Sequence, residues 1–257
     1  MKSEQIVAPR PQKIDSRVAA LRRIAIVPAL NEETSIAGVI AEIRAADPGF
    51  AVIVVDDGSN DQTAQVAAAS GAHVVRLPYN LGIGGAVQTG IQYARERGFQ
   101  LAIQIDGDAQ HPPGELPKLI EPILDDRADL VIGSRFLGPR EYEPPLTRLV
   151  GIKLLARVVS LIVRQRVTDT TSGYRAMNRR AIQLFAADYP HDYPEVEATV
   201  LVFRHRLRMT EVPVRMRIRE SGSSSITFTR SAYYMVKVLL ALFVGLFRRF
   251  PTPLEEE

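Results

Sequence analysis

An α/β fold with a mostly parallel sheet and flanking helices is predicted by three observations. Short apolar runs alternate with helical stretches of about 10 to 15 residues. The runs end repeatedly in polar clusters carrying Asp, Asn, Gly or Arg. The 257 residues suffice for one large domain with a small appendage.

The elements follow in order. Ile24 to Leu30 reads as a buried strand, and Glu32 to Ala46 has helical spacing with Asn31 as its cap. Ala51 to Val55 is the second strand, Asp61 to Ser70 a helix, and His73 to Leu77 a strand. Ile83 to Arg97 is helical, Gln100 to Ile105 a strand, Pro113 to Leu124 a helix, and Asp129 to Gly133 a strand. Beyond Pro145 the pattern loosens. A long helix covers Arg148 to Arg166, with Lys153, Arg157, Ser160 and Arg164 on one stripe. A polar turn (Thr168 to Gly173), a helix from Arg179, a helix near Glu195 to Arg206 and a strand-like run from Met209 to Arg219 complete the series. A Gly/Ser-rich loop at Ser221 to Ser225 precedes the last helix.

Composition narrows the chemistry. Cysteine is absent, which excludes disulfides, thiolate metal sites and cysteine nucleophiles and fits a reducing, cytoplasmic setting. The net charge of +3 is too small to imply nucleic acid unless the basic residues cluster. Met1 to Arg23 holds six Lys or Arg residues and no apolar core, so it reads as a basic tail and not a secretory signal. Ser231 to Phe247 is apolar but shorter than the ~20 residues of a spanning helix, and Lys237 interrupts it. It reads as an amphipathic helix for a membrane surface or another subunit.

Four clusters carry candidate chemistry. Asp106 and Asp108, one residue apart past a strand end, can present oxygens to one hard cation, with Gln110 as a further donor. They can equally form a solvated, self-capping loop. Asp57, after the second strand, can accept from a nucleobase or ribose, while Asp61 serves the helix start. Asn80-Leu81-Gly82-Ile83-Gly84-Gly85 lacks a Walker lysine and the glycine spacing of a dinucleotide fingerprint. Gly84 and Gly85 read first as positions where a helix start packs closely beneath the nucleotide, with a phosphate cradle as the alternative. Arg135 ends a strand at the ligand face, and Arg215, Arg217 and Arg219 alternate toward one side, where guanidinium forks suit diphosphates or a solvated edge.

Together and in this order, Val55-Asp56-Asp57-Gly58-Ser59-x-Asp61-x-Thr63, Asn80-x-Gly82, Asp106-x-Asp108-x-Gln110-His111-Pro112-Pro113 and Gly133-Ser134-Arg135 resemble family 2 glycosyltransferases. The branch resembled is that of the polyprenyl-phosphate sugar synthases, the dolichol-phosphate mannose synthase type. Asp169-x-x-Ser172-Gly173-Tyr174-Arg175 and Gly222-x-Ser224 extend the resemblance. It implies a GT-A, Rossmann-like domain over 23–229, a mobile basic tail over 1–22, and a C-terminal amphipathic helix and tail over 230–257. It also implies that Pro28, Ala29, Asn31, Glu32, Asp57 and Asp106 bind the nucleotide. Asp106, Asp108 and Gln110 would hold Mg²⁺ or Mn²⁺, Asp108 and Arg135 would be catalytic, and Arg219, Ser224 and Ser172 would meet the diphosphate or acceptor.

The reaction so implied is inverting transfer from a nucleotide-sugar to polyprenyl phosphate, at the cytoplasmic face of the cell membrane, in cell-envelope synthesis. Transfer to a sugar hydroxyl is the alternative enzyme reading, with Glu195, Glu197 and His191 as candidate bases or merely a polar helix start. A non-catalytic nucleotide-sugar-binding protein is the alternative of another class, against which Asp106, Asp108 and Arg135 argue. No nucleic-acid partner is expected, and a homo-oligomer is compatible with the apolar terminal helix.

Overall fold

The computed structural model describes residues 16–138, 146–217 and 237–244. Its strands are β1 (Arg23–Ala29), β2 (Phe50–Asp56), β3 (His73–Arg76), β4 (Leu101–Gln104), β5 (Leu130–Ser134), β6 (Arg175–Asn178) and β7 (Met209–Pro213). They form one sheet in the order β3-β2-β1-β4-β6-β5-β7, parallel except for β6. The antiparallel β6 was not expected. Its four residues, Arg-Ala-Met-Asn, carry neither an apolar run nor an alternating pattern.

Side-chain alternation along the strands builds two cores. Ala25, Val27 and Val54 face one side, in a core with Val18 of α1 (Ser16–Ala19), where α2 (Ile36–Ala46) and α5 (Leu116–Leu124) cover them with Ile36, Ile40, Ile43, Leu119 and Ile120. Ile24, Ile26, Ile53 and Val55 face the other, beneath α4 (Gly82–Glu96) and α7 (Arg179–Ala187). The spacing of Ala86, Val87, Ile91 and Ala94 gives α4 its buried stripe. The helix α3 (Thr63–Ala69) links β2 to β3. A third cluster joins α6 (Leu146–Val163), α8 (Pro194–Arg204) and the helix at 237–244 through Leu155, Val159, Val200, Val238 and Leu242.

Some boundaries move for local reasons. The first long helix begins at Ile36 and not at Glu32, because Asn31 adopts a left-handed φ of 56° and bonds across to the next loop. β7 stops at Pro213, so Arg215 and Arg217 lie beyond the strand and do not form an alternating strand face. Within residues 16–22, assigned above to the basic tail, Val18 is buried in the first core and the exposed Arg17 donates to Leu124 O and Asp125, while most of the segment is exposed. Among the described residues, no helix is long and apolar enough to cross a membrane. Arg219, Ser224, Gly222 and most of the Ser231 to Phe247 segment lie outside the described residues.

Candidate functional site

Parallel strands deliver their carboxyl ends to one edge of a sheet, and ligands of such sheets collect there. Here the ends of β1, β2 and β4 surround a cleft of about 300 Å³. Pro28, Ala29, Glu32, Asp57, Asp106 and Asp108 all line it. Six sequence-selected residues from the ends of three separate strands and the loops after them therefore share one cavity.

Asp56 and Asp57 divide the work at the end of β2. Asp56 is fully buried, accepts from Ser59 N (3.0 Å) and pairs with Arg76 at 3.4 Å. Asp57 accepts the Leu81 N–H at 2.7 Å and so ties the β2 end to the start of α4. Burial pushes its carboxyl above the ordinary Asp value, against the backbone donors of Leu81 and Gly82. Asp61 accepts from Thr63 N (2.9 Å), the first residue of α3. Asn31 is not among the cleft-lining residues. It clamps the β1 loop to the β2 loop, donating to Ser59 Oγ (2.9 Å) and accepting from Asn60 N (2.9 Å).

The Asp106–His111 turn is fixed by an unusual set of contacts. Asp106 N donates to His111 Nδ1 (3.1 Å), which makes Nδ1 the unprotonated nitrogen of the neutral ring. The His111 ring stacks on Tyr174 at 4.7 Å and 8°, and Tyr174 donates its hydroxyl to Pro112 O (2.9 Å). Burial drives the His111 pKa down to about 4, with Asp108 and Asp169 opposing and Arg135 assisting. Ala109 takes a left-handed φ of 62°, a costly conformation for a residue with a Cβ, which brings Gln110 N to Asp108 Oδ1 (3.1 Å). Gln110 O accepts from Arg217 N (3.0 Å). Ser35 Oγ lies within donor distance of Glu32 Oε2 (2.9 Å) and Gly107 O (2.8 Å), linking two walls of the cleft.

This donor set suits a hard divalent cation bound together with a phosphate ligand. The described residues contain no group of three or more His, Asp or Glu side chains that could hold a metal ion alone. Asp106 and Asp108 supply two carboxylates to one cleft, and such ions fill their other positions with water and phosphate oxygens.

Arg135 and Ser172 are not among the cleft-lining residues, and Arg135 belongs to a separate ion-pair network. Arg135 grips Asp169 with Nε and Nη2 at 2.7 Å each and also donates from Nη2 to Thr171 Oγ1 (2.8 Å). Glu211, on β7, accepts from Thr168 N and Asp169 N (both 2.8 Å). Ser172 is buried, and its Oγ accepts from Tyr174 N (3.3 Å). Glu195 lies at the start of α8. Burial raises its carboxyl above the usual Glu value, with Arg175 opposing. Glu197, His191 and Arg204 border a different cavity of about 300 Å³, beside Leu242 of the 237–244 helix. Sequence reasoning gave no role to His111, Tyr174 or Arg175. The His-Pro-Pro and Gly-Tyr-Arg tripeptides were visible, but their pairing depends on the unexpected β6.

Comparison with known proteins gives the family. Residues 24–185 match the model of "Glycosyl transferase family 2". The UDP-N-acetylglucosamine–dolichyl-phosphate N-acetylglucosaminyltransferase of Methanococcus voltae is 30% identical over 86% of this chain and 95% of its own. The undecaprenyl-phosphate mannosyltransferase of Micrococcus luteus is 34% identical over 80% of this chain and 88% of its own. Among solved structures, glucosyl-3-phosphoglycerate synthase of Mycobacterium tuberculosis superposes with a TM-score of 0.68 at 25% identity, covering 89% of this chain and 81% of that one. The same enzyme has been crystallised with Mn²⁺ and UDP. The fold is thus of the GT-A type, and the chain belongs to glycosyl transferase family 2.

Proposed function

We propose that this glycosyltransferase moves a sugar from a nucleoside diphosphate donor to polyprenyl phosphate, with inversion at the anomeric carbon and the help of Mg²⁺ or Mn²⁺. One observation carries the reading: Asp106 and Asp108 share a cleft with Asp57 and Glu32, so diphosphate-side and nucleoside-side groups face one volume. The acceptor is taken from the relatives, whose names specify dolichyl and undecaprenyl phosphate.

The acceptor chemistry sets what the protein must do. A phosphate monoester has its second pKa near ~6, so at neutral pH it attacks as a dianion. An oxygen lone pair forms the bond to the anomeric carbon, and the bond from that carbon to the donor's β-phosphate oxygen breaks. The nucleoside diphosphate leaves, and no proton has to be removed. Asp57 and Glu32 would orient the nucleoside half, and Asp106 and Asp108 would hold the cation. A bound Mg²⁺ or Mn²⁺ supplies positive charge to the departing diphosphate. Arg135 would add to that charge, and Arg219, Ser224 and Ser172 remain assigned to the diphosphate or acceptor by resemblance.

A hydroxyl acceptor is the second reading, favoured by one observation. Glu195 is half-buried at the start of α8, and desolvation raises its carboxyl above the usual Glu value, under the further electrostatic influence of Arg175, Asp106 and Arg135. A hydroxyl nucleophile needs such a base within reach.

Membrane contact would bring the enzyme to a lipid acceptor. Val150, Leu154 and Leu161 on α6 and Leu240, Phe243 and Val244 on the 237–244 helix are exposed, with Lys153, Arg157 and Lys237 also exposed on the same helices. This supports a peripheral position at a membrane surface, and the inner face is part of the proposal.

The deciding experiment incubates the protein with polyprenyl phosphate, Mg²⁺ or Mn²⁺ and labelled GDP-, UDP- and dTDP-sugars, then measures label in the organic phase. Metal-dependent lipid label from one donor is the expected result. Donor hydrolysis without lipid product would move the assignment to a hydroxyl acceptor and to Glu195. An Asp108→Ala variant is expected to lose turnover by more than about 100-fold while still binding the nucleotide. An unchanged rate would remove the metal from the mechanism.

A further inference from the structure

Arg175 heads the fully buried side chains by size, at 1% exposure, and the reaction described above gives it no task. It sits on β6, paired in register with Gln104 of β4 on one side and Ile132 of β5 on the other. Nε donates to Ser172 O (2.8 Å) and Nη2 to Glu195 O (2.6 Å). Nη1 has no hydrogen-bond partner among the described residues. Burying a guanidinium costs several kcal/mol unless its bonds return the loss. Two carbonyl contacts and the charge of the nearby Glu195 carboxyl offset part of that cost and leave one nitrogen unsatisfied, so stability alone is a thin account of the residue.

Its two bonds reach segments that matter to the cleft. One holds the 172–174 turn. A methyl group in place of the Gly173 hydrogen would stand 3.2 and 3.3 Å from the two Asp106 carboxylate oxygens and 3.0 Å from Gln104 Nε2. The backbone of this turn therefore lies directly against the Asp106 side chain. In the same turn, Tyr174 stacks on His111, which accepts the Asp106 N–H. The other bond anchors the turn to the first residues of α8. We propose that Arg175 is a positioning residue for Asp106, tying the 172–174 turn to α8 so that the turn fixes the carboxylate from behind. The proposal rests on Asp106 serving a metal-assisted donor site.

Groups that orient metal ligands typically change metal affinity by about 10- to 100-fold when removed. The test is calorimetric titration of Mn²⁺ into the full chain in the presence of GDP or UDP, with melting curves alongside. Arg175→Met is expected to weaken Mn²⁺ binding by at least about tenfold. Nucleotide affinity without metal should stay at the wild-type value, and the lost kcat should return partly at high Mn²⁺. A folded Arg175→Met protein with wild-type Mn²⁺ affinity overturns the proposal. Should that variant not fold, Arg175→Lys decides: lysine keeps the charge but cannot span both carbonyls. Weakened Mn²⁺ affinity supports the proposal, and unchanged affinity refutes it. Absence of metal-dependent nucleotide binding in the wild type would instead remove the metal-assisted reading beneath it, a result distinct from either variant outcome.

Discussion

The Arg135 guanidinium meets the Asp169 carboxylate in a two-pronged contact, 2.7 Å on each side, with Asp169 fully buried. Such a fork is specific to arginine, since lysine offers one point charge and no planar pair of donors. Two nitrogens of Arg135 are already engaged by this bond, so the side chain is placed before any ligand arrives. Breaking a buried pair by removing one partner leaves an uncompensated charge and costs about 3–5 kcal/mol. Asp169→Asn is therefore expected to lower unfolding free energy by about 3 kcal/mol and to reduce kcat as Arg135 loses its seat. Urea denaturation and steady-state kinetics on one preparation check both. Undiminished stability would show that the pair is not energetically coupled to the fold.

His111 makes stability depend on pH in a defined window. Its pKa in the folded chain is about 4, against an ordinary value of 6.5. Between these values the unfolded chain binds a proton that the folded chain refuses. The stabilisation is complete above pH 6.5 and drains away as pH falls toward 4, by about 3 kcal/mol in full. Protonated Nδ1 could no longer accept from Asp106 N, which gives the loss its geometry. Asp47 and Asp129 act lower. Burial opposes the shift, but bonds from Arg23 and Arg208 hold their carboxyls below 3.8. In a His111→Gln variant the stability profile between pH 6.5 and 4.5 should flatten. Parallel profiles for variant and wild type would assign the slope to another group.

Gly84 gives a prediction from close approach alone. A methyl group there would meet Pro190 O at 2.7 Å and His191 Cα and O at 2.8 Å, all backbone atoms that cannot swing aside. The start of α4 and the α7–α8 connection would have to part. Overpacking of this kind costs about 1–3 kcal/mol. Gly84→Ala should therefore lower the melting temperature despite alanine's better helix propensity. A raised melting temperature would mean that propensity outweighs the contact.

The legible and illegible parts of the sequence differ for physical reasons. Ile24 to Leu30 and Ala51 to Val55 announce buried parallel strands because both faces of such strands are covered, so apolar residues run without interruption. Asp57, Asp106 and Asp108 were recognisable because a polar cluster directly after such a run lies at the ligand edge. Arg175–Asn178 gave no such signal. Its strand is four residues long and held by neighbours on both sides, so tertiary pairing and not local propensity decides it. The tasks of His111, Tyr174 and Arg175 depend on that strand and were hidden with it. The helix start at Ile36 was misplaced because Asn31, which looks like a cap, spends its side chain across the loop on Asn60.

The exposed face of the 237–244 helix supplies the last prediction. Val238 and Leu242 are buried against α6 and α8, which leaves Leu240, Phe243 and Val244 more than half exposed. An amphipathic helix exposing apolar side chains beside Lys237 gains from entering the headgroup layer of an anionic membrane. Covering a large side chain is worth about 1.5–3 kcal/mol. Replacing Leu240 and Phe243 together by Glu removes that gain and adds repulsion from anionic lipid. Both side chains are more than half exposed, and melting curves recorded alongside report any loss of fold. Sedimentation with phosphatidylglycerol-containing vesicles should show at least about tenfold weaker binding. Activity with a water-soluble short-chain polyprenyl phosphate should persist. Undiminished sedimentation would place the membrane contact elsewhere, and loss of activity with the short acceptor would mean that these side chains serve the acceptor site itself.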